Sequence, residues 1–260
     1  MIQSFIKYLE KPIFNNPILI VGLPGIGNIG KIAVKFLISE LTAKKFGILF
    51  SPHLPYQVVI SEAGLIRLLS NEFYYSTSEK DTNDLIILTG DFQSQTIFGQ
   101  YEIAEVIIDF CKEFNVKKII TIGGFVTGNI EDPPKVYGAI NHPSLNSWIE
   151  QFAVEPCDFG VPIVGAAGLL IGLARLKEID GICLLGETSG YIMDARASKA
   201  VLDRINTFLK LDINLTKLNE MDQESQEKVD KIKEIEKGEG ISKKLKERFT
   251  QKERDLSYFG

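Results

Sequence analysis

Cysteine and histidine are scarce in this chain. Its 260 residues include three cysteines, Cys111, Cys157 and Cys183, and two histidines, His53 and His142. The cysteines are odd in number, far apart and set among apolar neighbours, with no CxxC. They read as buried small hydrophobes of a reducing cytoplasm, not as disulfide partners. Structural zinc takes clustered Cys and His, and neither histidine stands at ligand spacing from a cysteine, so no metal site is expected. Long apolar runs are lacking too. The longest, Val161–Ala174, covers about 14 residues and is broken by glycines, against about 20 for a membrane-spanning helix. Met1–Glu10 carries Lys7 and Glu10 and no apolar h-region, so no secretory signal is expected. There is no excess of positive charge. A net charge of -5 and a pI near 5.3 argue against nucleic acid or an anionic membrane as the main partner.

Apolar residues are plentiful. They make up 45% of the chain against 24% charged, enough to bury a core, which excludes disorder along the whole length. The length suits one compact domain of about 200 to 220 residues plus a short further piece.

Short β-rich runs alternate with amphipathic stretches. Ile18–Val21 is apolar throughout and stops at Gly22, the mark of a strand buried on both faces. Phe46–Phe50, Leu85–Thr89, Ile119–Ile122 and Ile182–Leu185 are further strand candidates. Gln57–Ser61 and Leu65–Leu69 flank Ala63-Gly64 and predict a hairpin. Helical stripes run through Ile29, Ile32, Ala33, Phe36 and Leu37, through Tyr101, Ala104, Ile107, Ile108 and Cys111, and through Ala200, Val201, Ile205, Phe208 and Leu209. Leu145–Phe152 predicts a short helix around Trp148. Ala166–Leu176 predicts one in which Gly168 and Gly172 admit a neighbouring backbone. Strands joined by helices give an α/β fold: a three-layer α/β/α sandwich with a mostly parallel mixed sheet, the hairpin adding antiparallel character.

The composition changes near Asn219. From Met221 to Ser257 more than half of the residues are charged, with signs interspersed. The sequence therefore divides into a core, residues 1–218, and a charged tail, residues 219–260. Ile232/Ile235 and Leu245/Phe249 have helical spacing, so a solvated C-terminal helical extension is expected, with a disordered tail as the alternative.

Gly22-Leu23-Pro24-Gly25-Ile26-Gly27-Asn28-Ile29-Gly30-Lys31 follows a strand and opens a helix. Gly25, Gly27 and Gly30 fit a dinucleotide fingerprint, but the acid expected to end the second strand is missing, since that strand ends in Phe50-Ser51-Pro52. Gly25 through Gly30-Lys31 nearly fits a P-loop, but Ile32 stands where a magnesium-binding Ser or Thr belongs. A tight strand-to-helix turn is the preferred reading, a bound nucleotide the alternative. Asp91 and Glu187 each follow a buried strand and would serve as acid and base only if they met in one cleft. Otherwise they cap turns. Ser189 has neither a Gly-x-Ser-x-Gly setting nor an evident histidine partner.

Leu23-Pro24-Gly25-Ile26-Gly27-Asn28-Ile29-Gly30-Lys31 resembles the opening of the proteasome assembly chaperone family, chaperone-2 type, as found in archaea. Further matches follow in order: Ser51-Pro52-His53-Leu54-Pro55, Asn71-Glu72-Phe73-Tyr74-Tyr75, Leu88-Thr89-Gly90-Asp91-Phe92-Gln93, and Leu184-Leu185-Gly186-Glu187-Thr188-Ser189-Gly190-Tyr191. The resemblance implies an α/β/α sandwich akin to the nucleoside phosphorylase architecture, without that activity. No catalytic residue, cofactor or metal is expected. It also implies homo-oligomers that engage proteasome α-subunits. A tetramer is expected, with trimer and pentamer as alternatives. Some members have been labelled ATP-grasp-like, which keeps a nucleotide-binding enzyme using Gly25–Gly30 as the competing reading. A plain oligomeric scaffold is a third. The chain ends Leu256-Ser257-Tyr258-Phe259-Gly260. Proteasome activators and related chaperones end in a hydrophobic residue, a tyrosine and any residue. Tyr258, Phe259 and Gly260 are therefore the expected partner-binding residues. Phe259 replaces the tyrosine, keeping the ring and losing one hydrogen bond.

Overall fold

Runs of apolar residues form the central strands of the fold, and amphipathic segments pack over them. The computed structural model describes residues 3–60, 64–78, 83–127, 133–190 and 193–218. The tail, residues 219–260, lies outside them. In chain order the elements are β1 (Phe5–Tyr8), β2 (Ile18–Val21), α1 (Ile29–Glu40), β3 (Lys44–Phe50), β4 (Val58–Ile60), β5 (Ile66–Leu68), β6 (Asn71–Ser76), β7 (Leu85–Gly90) and α2 (Ile97–Glu113). There follow β8 (Lys118–Val126), β9 (Val136–Ile140), α3 (Asn146–Gln151), β10 (Glu155–Pro156), α4 (Ala166–Arg175), β11 (Asp180–Thr188) and α5 (Ala195–Leu209).

Nine strands form one mixed sheet in the order β1-β3-β6-β7-β2-β8-β11-β9-β10. Its centre, β7-β2-β8-β11, is parallel. These strands are covered on both faces, which is why they read as unbroken Ile, Leu and Val. The flanks add antiparallel pairs, β1–β3, β3–β6 and β6–β7 on one side and β9–β11 on the other. Antiparallel pairing thus reaches well beyond the hairpin. The hairpin itself, β4–β5, is a separate two-stranded sheet.

Side-chain alternation divides the core into two layers. Ile18, Ile20, Leu85, Ile87, Ile120, Ile122, Ile182 and Leu184 face α1, α3 and α5. Leu19, Val21, Ile86, Leu88, Ile119, Cys183 and Leu185 face α2 and α4. The result is the three-layer α/β/α sandwich expected from the sequence. On the second side Phe46, Phe73 and Phe110 are buried together, with Phe73 and Phe110 stacked at 4.1 Å between centroids. Truncating such a ring to alanine costs about 3–5 kcal/mol.

The helix faces match the expected stripes in part. Ala104, Ile107, Ile108 and Cys111 of α2 are buried, while Tyr101 is exposed and Ile103 and Phe110 take its share of the core. Gly168 of α4 makes the close approach anticipated for it, since a Cβ there would lie 2.6 Å from the Ile163 carbonyl oxygen. Gly172 does not. A Cβ there would meet nothing within 4 Å among the described residues.

Candidate functional site

The parallel strands β2, β7, β8 and β11 deliver their C-terminal ends to one edge of the sheet, where α/β proteins place their chemistry. The glycine-rich turn after β2 lies there. Gly22 and Gly30 pack so closely that a Cβ on Gly22 would sit 2.1 Å from the Gly30 carbonyl oxygen. Gly27, in a short 3-10 turn over Ile26–Asn28, has φ +61, a left-handed conformation that an L side chain rarely adopts. Asn28 shares that conformation, which asparagine tolerates better than most residues.

The turn is held by the protein's own groups. The Asp194 amide donates to the Gly27 carbonyl at 2.9 Å, and the Asn28 amide donates to the Gly25 carbonyl at 2.9 Å. Gln93, from the loop after β7, donates through Nε2 to the Pro24 carbonyl at 2.6 Å. Its Oε1 accepts from the Ala166 amide at 2.8 Å. That amide opens α4 and is a natural anion donor, and Gln93 takes it up. The cavity beside the turn measures about 120 Å³ and is walled by Leu23, Ile26, Phe125, Val164 and Leu185. Among the described residues that line it none is charged. Small-molecule sites run to about 300–1,000 Å³. The geometry is that of a packed strand-to-helix turn.

Asp91 and Glu187 do not meet. Asp91 follows β7, whereas Glu187 lies inside β11, one residue before its end; the two strands are three spacings apart, or about 14 Å at about 4.8 Å each. Asp91 receives both arms of Arg67, Nη1 at 2.6 Å and Nη2 at 3.0 Å, together with the Ser70 amide at 3.1 Å. Burial opposes ionisation of Asp91. The Arg67 and Ser70 hydrogen bonds and the charges of Arg67 and Lys31 outweigh it and hold the carboxyl below its ordinary value. Glu187 is buried and accepts from the Thr127 hydroxyl at 2.5 Å and the Lys135 amide at 3.3 Å. Both carboxylates act as ties between segments. His53 pairs through Nε2 with Glu102 at 2.7 Å, and Glu102 also holds the Ser4 amide and hydroxyl. Nothing in a 49-residue separation signals that contact. Among the described residues no group of three or more His, Cys, Asp or Glu could hold a metal. No described helix is long and apolar enough to cross a membrane.

An exposed apolar surface lies at the hairpin. Ile60, Leu65, Ile66 and Leu68 are 61–72% exposed, and Tyr56 is fully exposed. A cavity of about 530 Å³ opens among Phe5, Phe50, Pro52, Leu54, Tyr56 and Val58. The signal was present in the sequence, because β5 and its approach carry leucine and isoleucine on both faces. The hairpin reading did not use it. Tyr258, Phe259 and Gly260 lie outside the described residues.

The model of the PAC2 family matches residues 19–233 of the chain. This chain belongs to the PAC2 family. Among PAC2 relatives, it is 35% identical to the uncharacterized protein MJ1210 of Methanocaldococcus jannaschii over 94% of its own length and 93% of the relative's. The crystal structure of PbaB from Pyrococcus furiosus, an archaeal proteasome activator, superposes on this PAC2 chain with a TM-score of 0.85 and 43% identity, covering 90% of this chain and 100% of that one. PbaA from the same organism, an archaeal homolog of proteasome-assembly chaperone, superposes with a TM-score of 0.74 and 27% identity over 98% of both chains.

Proposed function

We propose that the protein binds proteasome α-subunits as an assembly chaperone or activator, working through contact and not through catalysis. The observation that carries this reading is the 43% identity to PbaB over the whole of that chain. The packed glycine-rich turn and the separated carboxylates at the strand ends favour binding over chemistry. The proposed form is a homo-oligomer, in first place a tetramer, in the cytoplasm. The exposed apolar surface at the hairpin supports self-association, since patches of this kind mark interaction sites. Three free cysteines suit a reducing compartment.

The tail, residues 219–260, is proposed to carry Tyr258, Phe259 and Gly260 to the proteasome. Several tails on one oligomer would raise avidity by about 10² to 10⁴ where their geometry matches the ring. Surface plasmon resonance on immobilised archaeal α-rings tests the proposal. The full chain should bind, and deletion of the last three residues should remove most of the affinity. No binding by the full chain overturns the function. Unchanged binding on deletion moves the contact to the core.

A further inference from the structure

A further cleft lies between α1 and the sheet, behind the glycine-rich turn. Along β7, Leu85 and Ile87 face α1 while Ile86 and Leu88 face α2. Alternation therefore turns Thr89 towards α1. Opposite it on β6 stand Glu72, paired in register with Thr89, and Tyr74, paired with Ile87. Lys31 and Lys35, one helical turn apart on α1, form the other wall of a cavity of about 220 Å³.

Three observations converge on this cleft. Thr89 is only 5% exposed, and its Oγ1 has no hydrogen-bond partner among the described residues. A buried hydroxyl in that condition is rare and asks for a partner. Both acids of the cleft are already engaged: Asp91 by Arg67 and the Ser70 amide, Glu72 by Lys45 at 2.7 Å and the Tyr74 hydroxyl at 2.7 Å. Lys31 and Lys35 have no ion-pair partner among the described residues. Burial, with the like charge of Lys35, lowers the pKa of Lys31, so the half-buried ammonium is held at a cost that a nearby anion relieves.

We propose that this cleft binds a single phosphate-sized oxyanion, held by the Lys31 and Lys35 ammoniums and by the Thr89 hydroxyl. All three groups donate, so the ligand accepts at several oxygens and carries negative charge. At about 220 Å³ the cavity suits one phosphoryl group and falls below the ~300 Å³ at which small-molecule sites begin. The lysine of the Gly30-Lys31 pair then serves a site behind the turn instead of a P-loop in front of it. The oxyanion would link α1 to β7, and the site is independent of the proteasome contact proposed above.

The test is calorimetric titration of inorganic phosphate into the full chain at physiological salt, with thermal unfolding alongside. Phosphate should bind with a dissociation constant of about 1 mM or tighter. The double variant Lys31→Met, Lys35→Met should weaken binding by about tenfold or more. Thr89→Val gives a signature that a purely structural residue would not. Without phosphate it should raise the melting temperature, because an unpartnered buried hydroxyl is removed, and with phosphate it should lose part of the ligand-induced rise. Sulfate should compete. ATP binding more tightly than phosphate would overturn the size argument. No heat up to about 10 mM phosphate, or binding indifferent to the lysine pair, overturns the site.

Discussion

Thr188 donates its hydroxyl to Asp194 at 2.8 Å inside the protein. The other carboxylate oxygen of Asp194 caps α5 by accepting from the Ala197 amide at 2.9 Å. Its backbone amide holds the Gly27 carbonyl, so one aspartate ties the end of β11, the start of α5 and the glycine-rich turn. Asp194→Ala removes the cap and leaves the buried Thr188 hydroxyl proton without its acceptor, though its oxygen still accepts from the Gly190 amide. It should destabilise the protein by about 2–4 kcal/mol. Asp194→Asn, which keeps an acceptor for the cap, should cost less. Denaturant melts followed by circular dichroism decide this, and a loss under about 0.5 kcal/mol for the alanine variant would refute it.

The Arg67–Asp91 pair should contribute stability in a pH-dependent way. The folded-state pKa of Asp91 lies below its unfolded value. Its contribution is therefore complete above the ordinary carboxylate range, near pH 4, and is lost as pH falls through the lower folded-state value. Arg67 is 45% exposed, so solvent screens the pair and about 0.5–1 kcal/mol is the expected size at neutral pH. Arg67→Ala should lose that amount near pH 7 and little near pH 2. A deficit that grows on acidification would contradict the sign.

The three thiols should react in two classes. Burial pushes the Cys183 thiol up to about 12 and raises Cys111 as well, and both are buried in the α2/α4 layer. Cys157 is half-buried, and burial with the Asp158 charge raises it too. Thiolate supply and access together control alkylation. In native buffer iodoacetamide should label Cys157 slowly and the other two only after denaturation, as peptide mass spectrometry would read out. Early labelling of Cys183 would contradict the packing.

A chain ending at Leu218 should fold alone. The core layer under α1, α3 and α5 closes with Leu215 and Leu218, both buried, before the composition turns to charge. Light scattering should give the same subunit number for the truncated and full chains, while binding to α-rings falls away. Phe259→Tyr in the full chain should bind as well as the natural sequence or better, by up to about 1.5 kcal/mol, because it restores a hydroxyl. An unfolded truncation would show that the tail contributes to the core.

Much of the fold was legible because the parallel centre buries both faces of its strands. Ile18–Val21, Leu85–Thr89 and Ile182–Leu185 therefore stand out by hydrophobicity alone. The flanks were not. β1 alternates exposed and half-buried positions, β6 and β9 mix buried and half-buried ones, and Asn71-Glu72-Phe73-Tyr74-Tyr75-Ser76 carries too many polar groups to signal a strand until its partners are known. The turn at Gly22–Lys31 was legible as a turn because its glycines answer local sterics. The cleft behind it was not, because Thr89 and Lys31 are 58 residues apart and meet only through the register of the sheet.

The order of strands also sets a timetable. β2 is the middle of the parallel centre, yet it is the second strand made. Ile18 lies beside Leu85 on one side and Lys118 on the other, and the second partner comes one hundred residues later. At about 5–20 residues per second, synthesis takes about 5–20 s to deliver it. For about the first two thirds of that interval, until Leu85 is made, a four-residue apolar strand waits without either permanent neighbour, and every contact it finally makes closes a long loop. This sheet is therefore a slow folder by construction, and its vulnerable period falls before β8 has left the ribosome.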